Sequence, residues 1–286
     1  MADFEERITR DTAPAIRLEH DVRYLSARSL VMESQVWCDL GCGDGVAATA
    51  AVDGRYAGRA ILVDVVDGAV REAERQIEAE NVSAIRADLA SEQGLSLVRA
   101  ALLTDVPDQG CITCFELIEH LTTFVPLVEL LVEAAATGRY TVVLSVPNDA
   151  FLSMQNPYHQ STWGEAAFEE LRRLLPDETV QALQLEVHGS TLVRTDVEGG
   201  PQRTAGFGLP EAVVASHFVA AFGARSALLE EPVQVQVTDR EAERMWERQR
   251  DSDLAFYRAV AKDLEAQIAA KPAEAEQGAG TAPPAP

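Results

Sequence analysis

No stretch of 18 consecutive apolar residues occurs in this 286-residue chain, which excludes a single helix long and apolar enough to cross a bilayer. Nor does the segment from Met1 to Asp11 offer the basic start and apolar stretch of a secretory signal, being polar and acidic instead. Both absences lead to the expectation of a soluble, cytoplasmic protein with no membrane attachment. Positive charge is scarce as well: Lys262 and Lys271 are the only lysines, and 24 Lys and Arg face 46 Asp and Glu, for a net charge of -22. A surface of that sign repels phosphate backbones, so nucleic acid is a poor partner unless a local basic patch intervenes. The lysine shortage itself reads as compositional bias. Cysteines number four, at 38, 42, 111 and 114. Cys111-x-x-Cys114 has a spacing used for zinc and redox sites. Ile112 to Phe115, however, reads as a strand, in which residues three apart point to opposite faces, so buried structural thiols are expected instead.

What is present in quantity is apolar residue: at 47% of the chain, enough for one full core. Apolar runs alternate with helical periodicity in the order strand 36-40, helix 45-52, strand 60-64, helix 68-80, strand 83-87, helix 91-103, strand 110-116, helix 123-136 and strand 139-146. Such alternation predicts a parallel sheet with helices on both faces. An amphipathic helix is expected over 15-32, after a loose lead-in at 1-14. Beyond Asn148 the pattern weakens, with helices expected at 163-175 and near 210-222 and apolar segments at 183-194 and 226-238. Residues 239-270 read as a charged helix in which Leu254, Tyr257, Ala261, Leu264 and Ile268 form an apolar seam. That seam packs either on its own domain, taken as 15-238, or against a second copy in a homodimer. The Ala-, Pro-, Gly- and Glu-rich stretch 271-286 lacks the large apolar residues needed to order itself.

The most informative segment runs from Val36 to Gly45. It reads as a buried strand ending in Asp39, followed by a turn with glycines at 41, 43 and 45, residues that let the backbone approach a ligand closely. Position 46 is valine where the dinucleotide fingerprint needs glycine, which weighs against NAD. Asp64 closes the next strand 21 residues beyond Gly43, near the spacing of a ribose-binding carboxylate. Asp88 closes the third strand.

With these features the chain resembles the class I S-adenosylmethionine-dependent methyltransferases over roughly residues 20 to 175. The resemblance implies a Rossmann-like, doubly wound sheet of seven strands, mostly parallel and ending in an antiparallel hairpin, for which 183-194 and 226-238 are the candidates. It also implies S-adenosylmethionine as cofactor, with Gly41, Cys42, Gly43 and Gly45 forming its cradle. Asp39 would stand near its cationic end, Asp64 and Val65 at the ribose, and Asp88 and Leu89 at the adenine, with Glu116 beside them. His20-Asp21-Val22-Arg23-Tyr24 resembles a lead helix of related bacterial enzymes, in which Arg23 and Tyr24 would cover the cofactor; a surface arginine and a half-buried tyrosine is the alternative.

Chemistry at the acceptor is expected from the loops after strands four and five, because open α/β sheets place ligands at the carboxyl ends of their strands. These loops carry Glu116-Leu117-Ile118-Glu119-His120 and, later, His159. In one reading His120 or His159, with Glu119 beside them, acts as general base toward an acceptor hydroxyl. In the other, Glu116, Glu119, His120 and His159 ligate a divalent metal, with Mn²⁺ or Zn²⁺ suiting the mixed donors better than Mg²⁺. The Glu-x-x-Glu-His pattern resembles the small-RNA 3'-terminal 2'-O-methyltransferases and also bacterial methyltransferases of glycan and natural-product pathways. The acidic charge favours a glycan or small-molecule acceptor over RNA. A non-catalytic cofactor-binding scaffold is a third reading. His20, His188 and His217 read as core-edge or surface residues.

Overall fold

The computed structural model describes residues 8-12, 14-152, 156, 158-185 and 215-229, together with 254, 257, 258 and 260-262. Seven strands form one sheet in the order β3-β2-β1-β4-β5-β7-β6. The strands are β1 (Val36–Leu40), β2 (Tyr56–Asp64), β3 (Ala79–Arg86), β4 (Gly110–Phe115), β5 (Tyr140–Pro147), β6 (Val180–Gln184) and β7 (His217–Gly223). The first five pair in parallel, and β7 runs antiparallel between β5 and β6. This is the doubly wound, Rossmann-like sheet with a terminal antiparallel hairpin. The order reverses between β1 and β4, and the crevice there is where such folds take ligands.

Helices α1 (Pro14–Ser26), α2 (Arg28–Met32), α3 (Asp67–Gln76), α4 (Glu92–Leu103), α5 (Val125–Ala136), α6 (Asp149–Leu152) and α7 (Glu165–Arg172) complete the described elements, with short 3-10 turns between them. They divide the core in two. Cys38, Ile61, Ile112, Cys114 and Val142 pack toward α4 and α5, whereas Trp37, Leu62, Cys111 and Val143 pack toward α1 and α2. Cys111 and Cys114 therefore face opposite layers, and all four cysteines are buried free thiols. No helix among the described residues is long and apolar enough to cross a membrane.

Several expected boundaries move. The helix expected at 45-52 is only a 3-10 turn at Ala48–Ala51, because α1 and α2 pack onto this segment and Val52 already turns extended. The expected 15-32 helix breaks at Ala27, which is fully buried where α1 gives way to α2. The hairpin is built from 180-184 and 217-223 rather than 183-194 and 226-238: Ser226–Leu228 is a 3-10 turn, and the remainder of both candidate segments lies outside the described residues. The helix expected near 210-222 is strand β7 in its described part. Phe218 to Phe222 are buried throughout, as a strand covered on both faces requires, and an apolar run of that length does not by itself distinguish the two states. Of the 239-270 helix only 254, 257, 258 and 260-262 are described, and these are helical. The tail 271-286, residues 1-7 of the lead-in, and His188 lie outside the described residues.

Candidate functional site

The turn after β1 carries three left-handed glycines, Gly41 (φ 75°), Gly43 (φ 51°) and Gly45 (φ 77°). Its position is set by neighbours. The Cys42 amide donates to the Val63 carbonyl at 3.0 Å, and the Gly43 amide donates to Asp64 Oδ2 at 3.1 Å. A Cβ added at Gly43 would meet nothing within 4 Å, so this side of the loop is open to a ligand, whereas at Gly45 it would lie 2.7 Å from Ala73 Cα of α3. Asp64 also accepts from the Val66 amide at 2.9 Å, which holds its carboxylate at the tip of β2. Beside it Val65 is half exposed, an apolar side chain presented at the strand tip. Asp88 is exposed after β3, with Oδ1 taken by the Ala90 amide, and Leu89 is buried beneath it. The loop, Asp64, Val65 and Asp88 thus lie together along the β1–β2–β3 tips.

Asp39 has a different setting. It is fully buried and accepts hydrogen bonds from Thr113 Oγ1 at 2.6 Å and from Tyr24 Oη at 3.0 Å, while Trp37 Nε1 donates to Thr113 Oγ1 at 2.8 Å. The network ties α1 to the centre of the sheet through Tyr24. Burial raises the Asp39 carboxyl to about 7; the bonds from Thr113 and Tyr24 oppose the rise and the Asp64 charge adds to it. Its folded value thus exceeds the ordinary 3.8, so the stability it contributes is fully present below that pH and is lost as pH climbs toward 7. The native protein is expected to lose stability from about pH 4 to pH 7 more steeply than Asp39→Asn, as read by urea unfolding at each pH. Equal slopes would contradict the assignment.

At the carboxyl ends of β4 and β5 the second group of residues assembles. Glu119 and His120 lie on the 3-10 turn Ile118–His120, and the loop bearing His159 is fastened to it, because the Gln160 amide donates to the Glu119 carbonyl at 2.7 Å. Ligand atoms of Glu119, His120 and His159 come within 4.8 Å of one another. Each imidazole is oriented by a partner. His159 Nδ1 lies 3.0 Å from Asp149 Oδ1, and Asp149 Oδ2 in turn accepts from the Trp163 amide at 2.6 Å. His120 Nδ1 donates to the Tyr158 carbonyl at 3.3 Å, which directs Nε2 toward Glu119 Oε1, 3.9 Å away. Both Glu119 carboxylate oxygens are buried without a hydrogen-bond partner among the described residues. Burial, then the neighbouring Glu116 charge, raises the Glu119 carboxyl well above its usual range. A buried carboxylate beside two imidazoles, one of them backed by a second carboxylate, is a set of donors that could hold a divalent metal.

Glu116 stands apart from these three. It takes a left-handed backbone conformation (φ 48°), uncommon for a residue with a side chain. Oε1 accepts from Ser145 Oγ at 2.6 Å and lies 4.0 Å from Arg23 Nε, while Oε2 lies 3.2 Å from His217 Nε2. Burial works against ionisation, but Arg23 and then His217 outweigh it and hold the Glu116 carboxyl well below the usual range. His217 and Arg23 are both buried, and Arg23 reaches the last residue of β6 through Nη1 to Gln184 Oε1 at 2.8 Å. His20, on the same face of α1, is pushed down to about 3, first by desolvation and then by Arg23.

Neither His217 nor Asp149 stood out in the sequence. No local signal marked His217, because the apolar run Phe218 to Phe222 beside it does not by itself distinguish strand from helix. A cleft of about 400 Å³ is lined by Arg10, Arg17, Asp21, Val46, Thr49 and Gln76. None of the residues expected to bind cofactor or metal or to act in catalysis lines it.

No family model and no curated protein sequence matches the chain. Among solved structures it is similar to the small RNA methyltransferase HEN1, at 15% identity and a TM-score of 0.48, over 80% of this chain and 28% of that one. It is similar also to a SAM-dependent methyltransferase from Archaeoglobus fulgidus, at 13% identity and a TM-score of 0.47, over 72% of this chain and 93% of that one. A third is the N-methyltransferase NodS from Bradyrhizobium japonicum WM9, at 16% identity and a TM-score of 0.45, over 74% and 97%. The chain thus spans little more than a quarter of the HEN1 structure, and at these identities the likeness is one of fold.

Proposed function

We propose that this chain is an S-adenosylmethionine-dependent methyltransferase that methylates a hydroxyl of a glycan or small-molecule acceptor with the help of a divalent metal. The observation that carries the reading is the juxtaposition at one sheet edge of an open glycine cradle, with Asp64 at its rim, and the Glu119, His120 and His159 cluster. Gly43, Asp64, Val65 and Asp88 would hold the donor's nucleoside end, and Tyr24 would hold the lead helix against the same edge. The donor supplies an already activated methyl group, and a metal would lower the pKa of an acceptor hydroxyl.

This chain's own part is then to align the acceptor behind that methyl and to exclude water, the contribution expected to matter most for such a substitution. Glu119, His120 and His159 would hold the metal. Without a metal, His159, held in one orientation by Asp149, is placed to take the acceptor proton. The net charge of -22 supports a non-nucleic-acid acceptor.

Calorimetry on ligand-stripped protein is expected to give heat with S-adenosylmethionine and S-adenosylhomocysteine and none with NAD. No heat with either of the first two overturns the proposal. Radiolabelled methyl transfer into sugar, small-molecule and RNA pools identifies the acceptor, and label in RNA alone would overturn the acceptor class.

A further inference from the structure

We infer that Glu116 does not ligate the metal but is a positioning residue that latches the lead helix α1 over the donor cradle, leaving the metal to Glu119, His120 and His159. This rests on the donor and metal sites proposed above. Four observations carry it. Both Glu116 oxygens already have partners: Ser145 Oγ donates to Oε1 at 2.6 Å and His217 Nε2 lies 3.2 Å from Oε2, while the Arg23 guanidinium faces Oε1 as a charge at 4.0 Å, its Nε and Nη2 making no hydrogen bond among the described residues. Glu119, three residues onward, has neither oxygen hydrogen-bonded among the described residues, although both are buried. Among the described residues the three groups able to converge on one ion are Glu119, His120 and His159, and Glu116 is not among them. Its backbone is left-handed, and its side chain faces Arg23 and His217 instead.

The latch joins distant elements. Arg23 belongs to α1, Glu116 follows β4, His217 opens β7, and Gln184, which bonds Arg23 Nη1, ends β6 and also donates to the Glu19 carbonyl of α1 at 3.0 Å. Tyr24, adjacent to Arg23, makes the second attachment of α1 through Asp39. A buried guanidinium deprived of its carboxylate would be left uncompensated, so loss of Glu116 is expected to free α1 rather than to empty the metal site.

The test compares full-length native protein with Glu116→Gln, Glu119→Gln, Arg23→Met and the double variant Arg23→Met with Glu116→Gln. Mn²⁺ affinity is read by electron paramagnetic resonance, S-adenosylhomocysteine affinity by calorimetry, and α1 by amide hydrogen exchange. Glu116→Gln is expected to keep Mn²⁺ affinity within about threefold of native, well inside the roughly 10–100-fold cost of disturbing even an outer-shell partner. It is expected to weaken S-adenosylhomocysteine by about tenfold and to speed exchange in α1, with effects non-additive to those of Arg23→Met. Glu119→Gln is expected to do the reverse, losing Mn²⁺ while α1 stays protected. Loss of Mn²⁺ in Glu116→Gln equal to that in Glu119→Gln overturns the inference, as does unchanged α1 exchange or strict additivity with Arg23→Met. Failure of the native protein to bind Mn²⁺ or S-adenosylhomocysteine would instead refute the function proposed above, and the exchange and additivity measurements would still decide whether the latch exists.

Discussion

Replacing Glu119 by methionine is expected to abolish divalent-metal binding and, in the metal-free protein, to raise the stability of the fold. Its carboxylate is fully buried, carries two oxygens with no hydrogen-bond partner among the described residues, and lies near the charge of Glu116. A buried polar group left unsatisfied costs roughly 1–3 kcal/mol, and more if charged. Methionine fills a similar volume without that penalty, and its flexibility lets it adapt to the gap. The expected gain is therefore about 1–3 kcal/mol in urea unfolding with chelator present, with Mn²⁺ affinity reduced by more than about 100-fold. A metal-free variant less stable than the native protein would mean that the Glu119 carboxylate has a structural partner, and the case for a metal site would fall with it. Strain held at one position and relieved by a ligand is how binding sites commonly depart from optimal packing.

The second large effect is expected at Gly45. Valine there must adopt φ 77° and place its Cβ 2.7 Å from Ala73 Cα and 2.9 Å from Ala73 Cβ. The left-handed conformation costs roughly 1–2 kcal/mol and overpacking another 1–3, so a loss of about 2–5 kcal/mol is expected in denaturant unfolding. Relief of the clash pushes the glycine turn away from α3 and breaks the bond from the Gly43 amide to Asp64, so donor affinity should fall below detection. Gly43→Ala is the informative contrast. It meets no atom within 4 Å, so its cost is the roughly 1 kcal/mol of backbone conformation alone, yet its methyl enters the open side of the cradle. It should weaken S-adenosylhomocysteine while leaving the fold nearly intact. Equal donor affinity in native and Gly43→Ala protein would move the ligand elsewhere.

Much of the sheet was legible because its signals are local. β1, β2, β4 and β5 announce themselves as apolar runs bounded by acids, glycines or proline, and the opposite-face geometry of Cys111 and Cys114 follows from strand period alone. The Glu-x-x-Glu-His segment and His159 were identifiable as chemistry-bearing residues on loops at one edge. Less legible were the hairpin strands. β6 alternates buried and exposed over only five residues, and β7 is apolar throughout, so periodicity could not separate strand from helix.

The sequence by itself determined the alternating α/β order, the glycine turn with acids at successive strand tips, and the set of residues able to do chemistry, since each follows from composition and periodicity over a few neighbouring positions. Tertiary structure alone decided how those residues divide their work. It buried Asp39 against Tyr24 and Thr113, gave Glu116 to Arg23 and His217, and left Glu119 with two imidazoles and no donor. The reason is physical: a carboxylate's role is set by which hydrogen-bond donors and charges lie within a few ångströms, and here they come from strands and helices up to about a hundred residues away along the chain.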